Sequence, residues 1–258
     1  VGVKVFQKHL WQCMVGQALN IKQNIESRRE KNQFGIIVWQ FNEIWPTGGW
    51  GSIEYGTVGY TKGQVLGGRW KPLQHWYQKT IYTDVMATCG NGGCYVTNDS
   101  PLPFSGKMTI SAVDFATGAP VVLVTKNLAM AAGIGTKEFF SLPRSVSGST
   151  EILHAVITNS DGTIVNDNWI PFVEPKNMKL ESATVGVTVA DSAEPNGNVI
   201  VTVQSDKFAL YVTLTTTAQG RFSDNAFCMT PGSISLSFLP IAGFELAELK
   251  SSIRVEHA

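Results

Sequence analysis

The stretch from Phe34 to Tyr55, FGIIVWQFNEIWPTGGWGSIEY, constrains this chain more than any other. It opens with an unbroken apolar run, Phe34-Gly35-Ile36-Ile37-Val38-Trp39. It then turns into a loop that mixes Gln40, Asn42 and Glu43 with Trp45-Pro46, Gly48-Gly49 and Trp50. A short apolar run without alternation reads as a strand buried on both faces, and such strands belong to parallel sheets. In parallel α/β architectures function gathers at the carboxyl ends of the strands. Indoles beside amides and a carboxylate at such an end suit a sugar, since ring faces can stack on a pyranose while polar groups hold its hydroxyls. The competing reading of the same indoles is core packing beneath the strand end.

The neighbouring segments read as helices. Over residues 4–31, Phe6, Leu10, Cys13, Met14, Gln17, Ala18, Ile21 and Ile25 recur at spacings of three and four. Arg28, Arg29 and Lys31 suit the carboxyl end of the helix dipole, and Asn32 is a stop signal. Residues 56–68 read as an exposed glycine-rich loop. A second helix is expected over about Arg69 to Met86, with Pro72 in its first turn and Trp70, Leu73, Trp76 or Tyr77, Ile81 and Val85 as its buried stripe. One parallel strand finds no neighbour here to receive its hydrogen bonds. The remaining strands are therefore expected from a segment outside this chain, most simply the N-terminal portion of the same precursor. The opening VGVKVFQKHL, without an initiator Met or signal peptide, reads as the start of a processed or partial chain.

From Cys89 the period changes to two. Alternating segments cover Gly93–Asn98, Lys107–Asp114, Pro120–Lys126, Lys137–Leu142, Glu151–Thr158 and Ile164–Pro171, separated by Asp, Asn, Gly, Ser and Pro. After a linker-like Phe172–Asn177, a second all-β unit covers Thr184–Ala190, Asn198–Ser205, Ala209–Thr215, Gly220–Asp224, Ser233–Leu239 and Ser251–Glu256. The expected layout is multidomain, α/β plus all-β: a helix-strand-helix portion over 1–88, a β-sandwich over 89–175 and a C-terminal β-sandwich over 176–258.

Composition excludes more than it assigns. Formal charge +0 with 16% charged residues gives no footprint for nucleic acid or an acidic membrane surface. No apolar run reaches the ~20 residues of a membrane span. Cys89 and Cys94 bracket Gly90-Asn91-Gly92-Gly93, a loop pliant enough for a small disulfide ring. Free thiols are the alternative; a metal site lacks further ligands. A disulfide points to an oxidising compartment, as does the Asn98-Asp99-Ser100 glycosylation sequon. His9, His75, His154 and His257 fall on different elements and suggest neither a metal site nor a triad.

Three clusters carry a resemblance. Val38-Trp39-Gln40-Phe41-Asn42-Glu43-Ile44-Trp45-Pro46, Trp50-Gly51-Ser52-Ile53-Glu54-Tyr55 and Gly68-Arg69-Trp70-Lys71 resemble the last barrel strand, loop and helix of β-mannosidase-like enzymes of glycoside hydrolase family 2. Gly220-Arg221-Phe222-Ser223-Asp224-Asn225-Ala226-Phe227 resembles a stretch of that family's terminal sandwich. The resemblance covers essentially the whole chain and corresponds to the C-terminal portion of a longer enzyme. It implies a C-terminal fragment of a (β/α)8 barrel followed by two immunoglobulin-like β-sandwiches.

The implied activity is retaining hydrolysis of β-mannosides, using two carboxylates about 5 Å apart, with no cofactor. Both catalytic glutamates are expected outside this chain, since in the family they end the fourth and seventh strands. Glu43 stands where the family usually has Asp and is not its catalytic residue. Trp39 corresponds to the indole that floors the subsite of the cleaved sugar; Asn42, Trp45 and Trp50 are candidates to line the aperture, with core packing as the alternative. Arg69 and Trp70 are expected to anchor the last helix, and Arg221 and Asp224 to pair within the last sandwich. Residues 56–67 exceed the usual family spacing, which bears on exo against endo cleavage. A lysosomal, vacuolar or extracellular location fits the family. Two other readings compete: a glycosidase-like structural or interaction protein without activity, and a family 2 enzyme of other sugar specificity.

Overall fold

The computed structural model describes residues 2–33, 35–42, 49–55, 68–90 and 93–258, with backbone alone at 54, 55 and 68. It opens with helix α1 (Val3–Glu30), strands β1 (Ile53–Tyr55) and β2 (Gly68–Trp70), and the short helix α2 (Pro72–Trp76), which runs into a π-helical turn at Tyr77–Ile81. Strands β3 (Val85–Gly90), β4 (Gly93–Asn98), β5 (Phe104–Asp114), β6 (Pro120–Met130), β7 (Thr136–Phe140), β8 (Glu151–Asn159) and β9 (Ile164–Ile170) follow. The last part holds β10 (Val185–Val189), β11 (Val199–Ser205), β12 (Ala209–Thr215), β13 (Gly220–Phe222), β14 (Phe227–Met229), β15 (Gly232–Pro240), α3 (Leu246–Ser252) and β16 (Arg254–Glu256). The chain divides into two compact units, one of residues 22–36 and 76–181, the other of 1–21, 37–75 and 182–258.

The unit of 22–36 and 76–181 is an antiparallel sandwich of sheets β3-β4-β7 and β6-β5-β8-β9. Alternation makes it so. Met108, Ile110 and Ala112 of β5 and Leu153, Ala155 and Ile157 of β8 send every second side chain into one core with Val85, Ala87 and Val96. Cys89 and Cys94 face each other across the β3–β4 hairpin and form a disulfide, as the spacing led us to expect. The second half of α1 lies against β4, where the Tyr95 hydroxyl donates to the Glu26 carbonyl at 2.6 Å. Beside it a buried Lys22–Glu26 pair (2.7 Å) accepts a bond from Asn168 Nδ2 at 2.9 Å. The second helix stops at Ile81 rather than Met86, and Val85 and Met86 open β3 instead.

On β8 and β9 of this sandwich, His154 stacks on Trp169 with ring centroids 3.9 Å apart, and its Nε2 meets Asp167 Oδ1 at 2.8 Å. Burial pushes the Asp167 carboxyl up, but the His154 hydrogen bond and the charges of His154 and Lys79 outweigh it and hold the pKa below its ordinary value. A carboxylate depressed in the folded state contributes stability that is complete above its unfolded pKa of about 3.9. That contribution is lost as pH falls through the lower folded value. Asp167→Asn is therefore expected to cost about 1.5–3 kcal/mol at neutral pH, as loss of a hydrogen bond to a charged group does, and progressively less as pH falls below about 3.9. Urea midpoints across that acid limb check the sign.

In the other unit, sheets β10-β11-β15-β13 and β14-β12-β16 enclose Val199, Val201, Val203, Leu214, Phe222, Leu236 and Phe238. The first half of α1 packs here through Trp11, Val15 and Ala18. Trp11 Nε1 donates to Thr213 Oγ1 at 3.0 Å, and Lys8 Nζ lies over the Trp11 ring and bonds the His257 carbonyl. The helix is the one expected and buries Ala18 and Ile25 of the expected stripe, but Trp11 and Val15 take the place of its N-terminal members. Phe6, Leu10 and Cys13 are exposed. Trp11 carries the largest apolar body on the helix and a donor that needs a partner, so it selects the buried face.

The apolar run from Phe34 departs most from its expectation. Phe34 lies outside the described residues, and 35–39 form no strand. Ile37 is 100% exposed and Trp39 74%. A parallel strand exists only through the ladders on its flanks, and among the described residues 35–42 make a single parallel bridge, Asn42 to Ile53, beyond the apolar run.

Candidate functional site

Trp39 and Trp50 stand 74% and 68% exposed. Asn42 is also at the surface. Trp45 and Glu43 lie outside the described residues, as does the side chain of Glu54. At these exposures neither ring packs in a core within this chain.

What brings their segments together is backbone chemistry. The Phe41 carbonyl accepts from Ser52 N at 3.0 Å and Ile53 N at 3.2 Å, and from Ser52 Oγ at 3.0 Å. The Lys71 amide donates to the Ser52 carbonyl at 2.9 Å. Lys71 Nζ reaches the Gly49 carbonyl at 3.0 Å, and Gln17 Nε2 of α1 reaches the Trp50 carbonyl at 2.6 Å. Strand β1 then pairs antiparallel with β2, Ile53 opposite Trp70. The stretches bearing Trp39 and Asn42, and Trp50, are thus clipped side by side onto β1–β2. These bonds fix the backbone that carries Trp39, Asn42 and Trp50, all three at the surface.

Sequence reasoning missed Ser52, Gln17, Lys71 and Gln74 as parts of this site. Ser52 and Lys71 offered a clue, since both fall within the quoted clusters. The others sit on elements read for their apolar stripes.

Two of the sequence clusters touch. The Arg221 guanidinium of β13 lies over the Trp70 ring of β2, 4.3 Å from its centroid, and Trp70 meets His75 edge-on at 5.2 Å. Arg69 Nη1 donates to the Thr217 carbonyl at 3.3 Å. Around Trp70 and Arg221 lies a cavity of about 70 Å³.

The expected glycosylation site is corrected. Asn98 is fully buried. Its Nδ2 donates to the carbonyls of Leu102 and Ala131, both at 3.0 Å, and its Oδ1 accepts from Ser100 N. The amide nitrogen that would carry a glycan shapes the turn after β4 instead.

Comparison with known proteins agrees with this layout. Residues 180–258 match the Ig_mannosidase family, described as an Ig-fold domain. The chain is 26% identical over 275 residues to β-mannosidase of Capra hircus, covering 97% of this chain and 29% of that protein. It is 25% identical over 235 residues to β-mannosidase A of Aspergillus niger, covering 78% and 22%. It therefore spans roughly a quarter of the length of these relatives. In fold it resembles the crystal structure of β-D-mannosidase from Dictyoglomus thermophilum, with TM-score 0.67 and 22% identity over 95% of this chain and 29% of that one. It also resembles an Amycolatopsis orientalis exo-chitosanase, with TM-score 0.63 and 19% identity over 95% and 33%. The sandwich strands, the contact between the two clusters and these likenesses agree: the chain is similar to part of the β-mannosidases, and its residues 180–258 match the Ig-fold domain of the Ig_mannosidase family.

Proposed function

We propose that this chain is the C-terminal part of a retaining β-glycosidase that hydrolyses β-mannosides. In this reading Trp39 floors the sugar subsite, Asn42, Trp45 and Trp50 line its aperture, and the two catalytic carboxylates come from the N-terminal portion of the same precursor. That portion supplies the barrel strands beside Phe34–Trp39. The observation that carries the reading is the pair of exposed indoles, Trp39 and Trp50, held on clipped segments within a chain similar to β-mannosidases over 97% of its length. The exposed Ile37 and the outward Phe6 and Leu10 of α1 support a missing apolar partner surface. The Cys89–Cys94 disulfide supports a lysosomal, vacuolar or extracellular setting. No described helix is long and apolar enough to cross a membrane.

The test is the native particle. Its intact mass and the sequence of any companion chain are measured, and the particle is assayed with a chromogenic β-mannoside while the first-formed anomer is followed by NMR. Hydrolysis with retention, and no hydrolysis by the isolated chain, is the expected result. A companion that lacks two strand-end carboxylates, or a particle inactive on β-mannosides, overturns the reading. Activity on another β-glycoside would instead reassign the sugar.

A further inference from the structure

Ser52 is 0% exposed, although the residues around it serve a surface. Its hydroxyl sits 3.0 Å from the Phe41 carbonyl and 2.8 Å from the Gln74 amide terminus. A hydroxyl carries one proton and accepts through its lone pairs, so Ser52 cannot donate to both. The balance closes when Gln74 presents Nε2 rather than Oε1, since the two ends of an amide occupy equivalent positions. Gln74 then donates to Ser52 Oγ, and Ser52 Oγ donates to the Phe41 carbonyl. A relay runs from α2, through a buried hydroxyl, to the carbonyl two residues after Trp39. The same Ser52 lies two residues after Trp50, and its own carbonyl is fixed by the Lys71 amide.

We propose that Ser52 is a positioning residue that sets the spacing of the Trp39 and Trp50 faces, and with it the affinity for the sugar taken between them. The inference rests on the glycosidase reading above. Ser52 contacts no sugar. Its backbone amide and that of Ile53 clip the two segments whatever the side chain is. The hydroxyl relay adds a third donor at Phe41 and ties the clip to α2, which restricts how far the Trp39 end can slide.

Two substitutions probe the relay from opposite ends in the full-length protein. Ser52→Ala removes it and leaves the backbone clip. Gln74→Glu is nearly isosteric and reverses it, because a carboxylate accepts the Ser52 proton and withdraws it from Phe41. Both are expected to raise KM for a chromogenic β-mannoside about tenfold, the equivalent of one hydrogen bond, with kcat changed less than about twofold, the pattern of lost uniform binding. Binding of methyl β-mannoside, followed by tryptophan fluorescence, is expected to weaken in parallel. Both variants holding the wild-type KM and affinity, with only a lowered melting temperature, would overturn the inference and leave Ser52 a packing residue. A wild-type protein that neither hydrolyses nor binds a β-mannoside overturns the glycosidase reading and this inference together. If Ser52→Ala fails to fold, Gln74→Glu carries the test.

Discussion

Arg29→Ala is expected to destabilise the unit of residues 22–36 and 76–181 by about 3 kcal/mol. Arg29 ends α1, yet its guanidinium is the fastener of this unit. Nε and Nη2 meet Asp99 Oδ2 at 2.8 and 2.7 Å. Nη1 donates to the Ile81 carbonyl at 2.7 Å, and Nη2 to the Thr83 carbonyl at 2.8 Å. The side chain is only 13% exposed. Removing one partner of a buried ion pair costs about 3–5 kcal/mol because the other charge stays desolvated. The partial exposure of Asp99 sets the lower end of that range here. The same change strips donors from carbonyls at the end of the π-helical turn and frees the carboxylate that also accepts the Gly135 amide. Arg29→Lys keeps the charge but not the fork and should lose about half as much. Urea unfolding, with hydrogen exchange read strand by strand, checks this. Faster exchange in β3 and β4, with β11 and β15 unchanged, is the expected result; a shift below about 1 kcal/mol in Arg29→Ala would reduce the pair to a surface contact.

Gly220→Ala is the second large effect, expected at about 3–4 kcal/mol. Gly220 holds φ +152°, a conformation L side chains rarely adopt. An added Cβ would lie 2.5 Å from the Phe238 ring and 2.6 Å from the Leu239 carbonyl. Neither yields easily. Leu239 is backbone in β15, and the Phe238 ring is fully buried between Phe222 at 5.1 Å and Phe244 at 5.5 Å. Overpacking of this kind costs about 1–3 kcal/mol, and the left-handed backbone adds about 1–2. Because Arg221 follows directly, the strain also displaces the guanidinium from Trp70. Gly186→Ala is the control: nothing lies within 4 Å of the added carbon, so stability should stay level or rise by a few tenths of a kcal/mol. Equal losses in both variants would refute the steric account.

The sequence by itself determined what depends on near neighbours in the chain. Alternation at Met108, Ile110 and Ala112, or at Val199, Val201 and Val203, allows one fate, a strand with one face on a core. Six of the seven strands of the first sandwich were legible in this way. The Cys89–Cys94 ring was legible because a four-residue glycine-rich loop brings its ends together whatever surrounds it. Trp39 and Trp50 were legible as candidates because large indoles amid polar residues are unusual in either a core or a loop.

Only the tertiary structure decided the rest, because the deciding partner lies far away in sequence. The helix expected to Met86 stops at Ile81, where Arg29 takes the Ile81 and Thr83 carbonyls. The buried face of α1 follows Trp11 and its distant acceptor Thr213. The β1–β2 pairing and strand β14 were missed, since three-residue strands carry little period of their own, and β3 was missed because Val85 and Met86 read as the end of the preceding helix. Asn98 read as an exposed acceptor from its tripeptide, but the carbonyls of Leu102 nearby and of distant Ala131 claim its amide. The run from Phe34 is composed as a buried strand, and a strand becomes one only when neighbouring strands receive its backbone. Apolar side chains establish that this segment seeks burial; the ladder that would provide it is a property of the assembled fold.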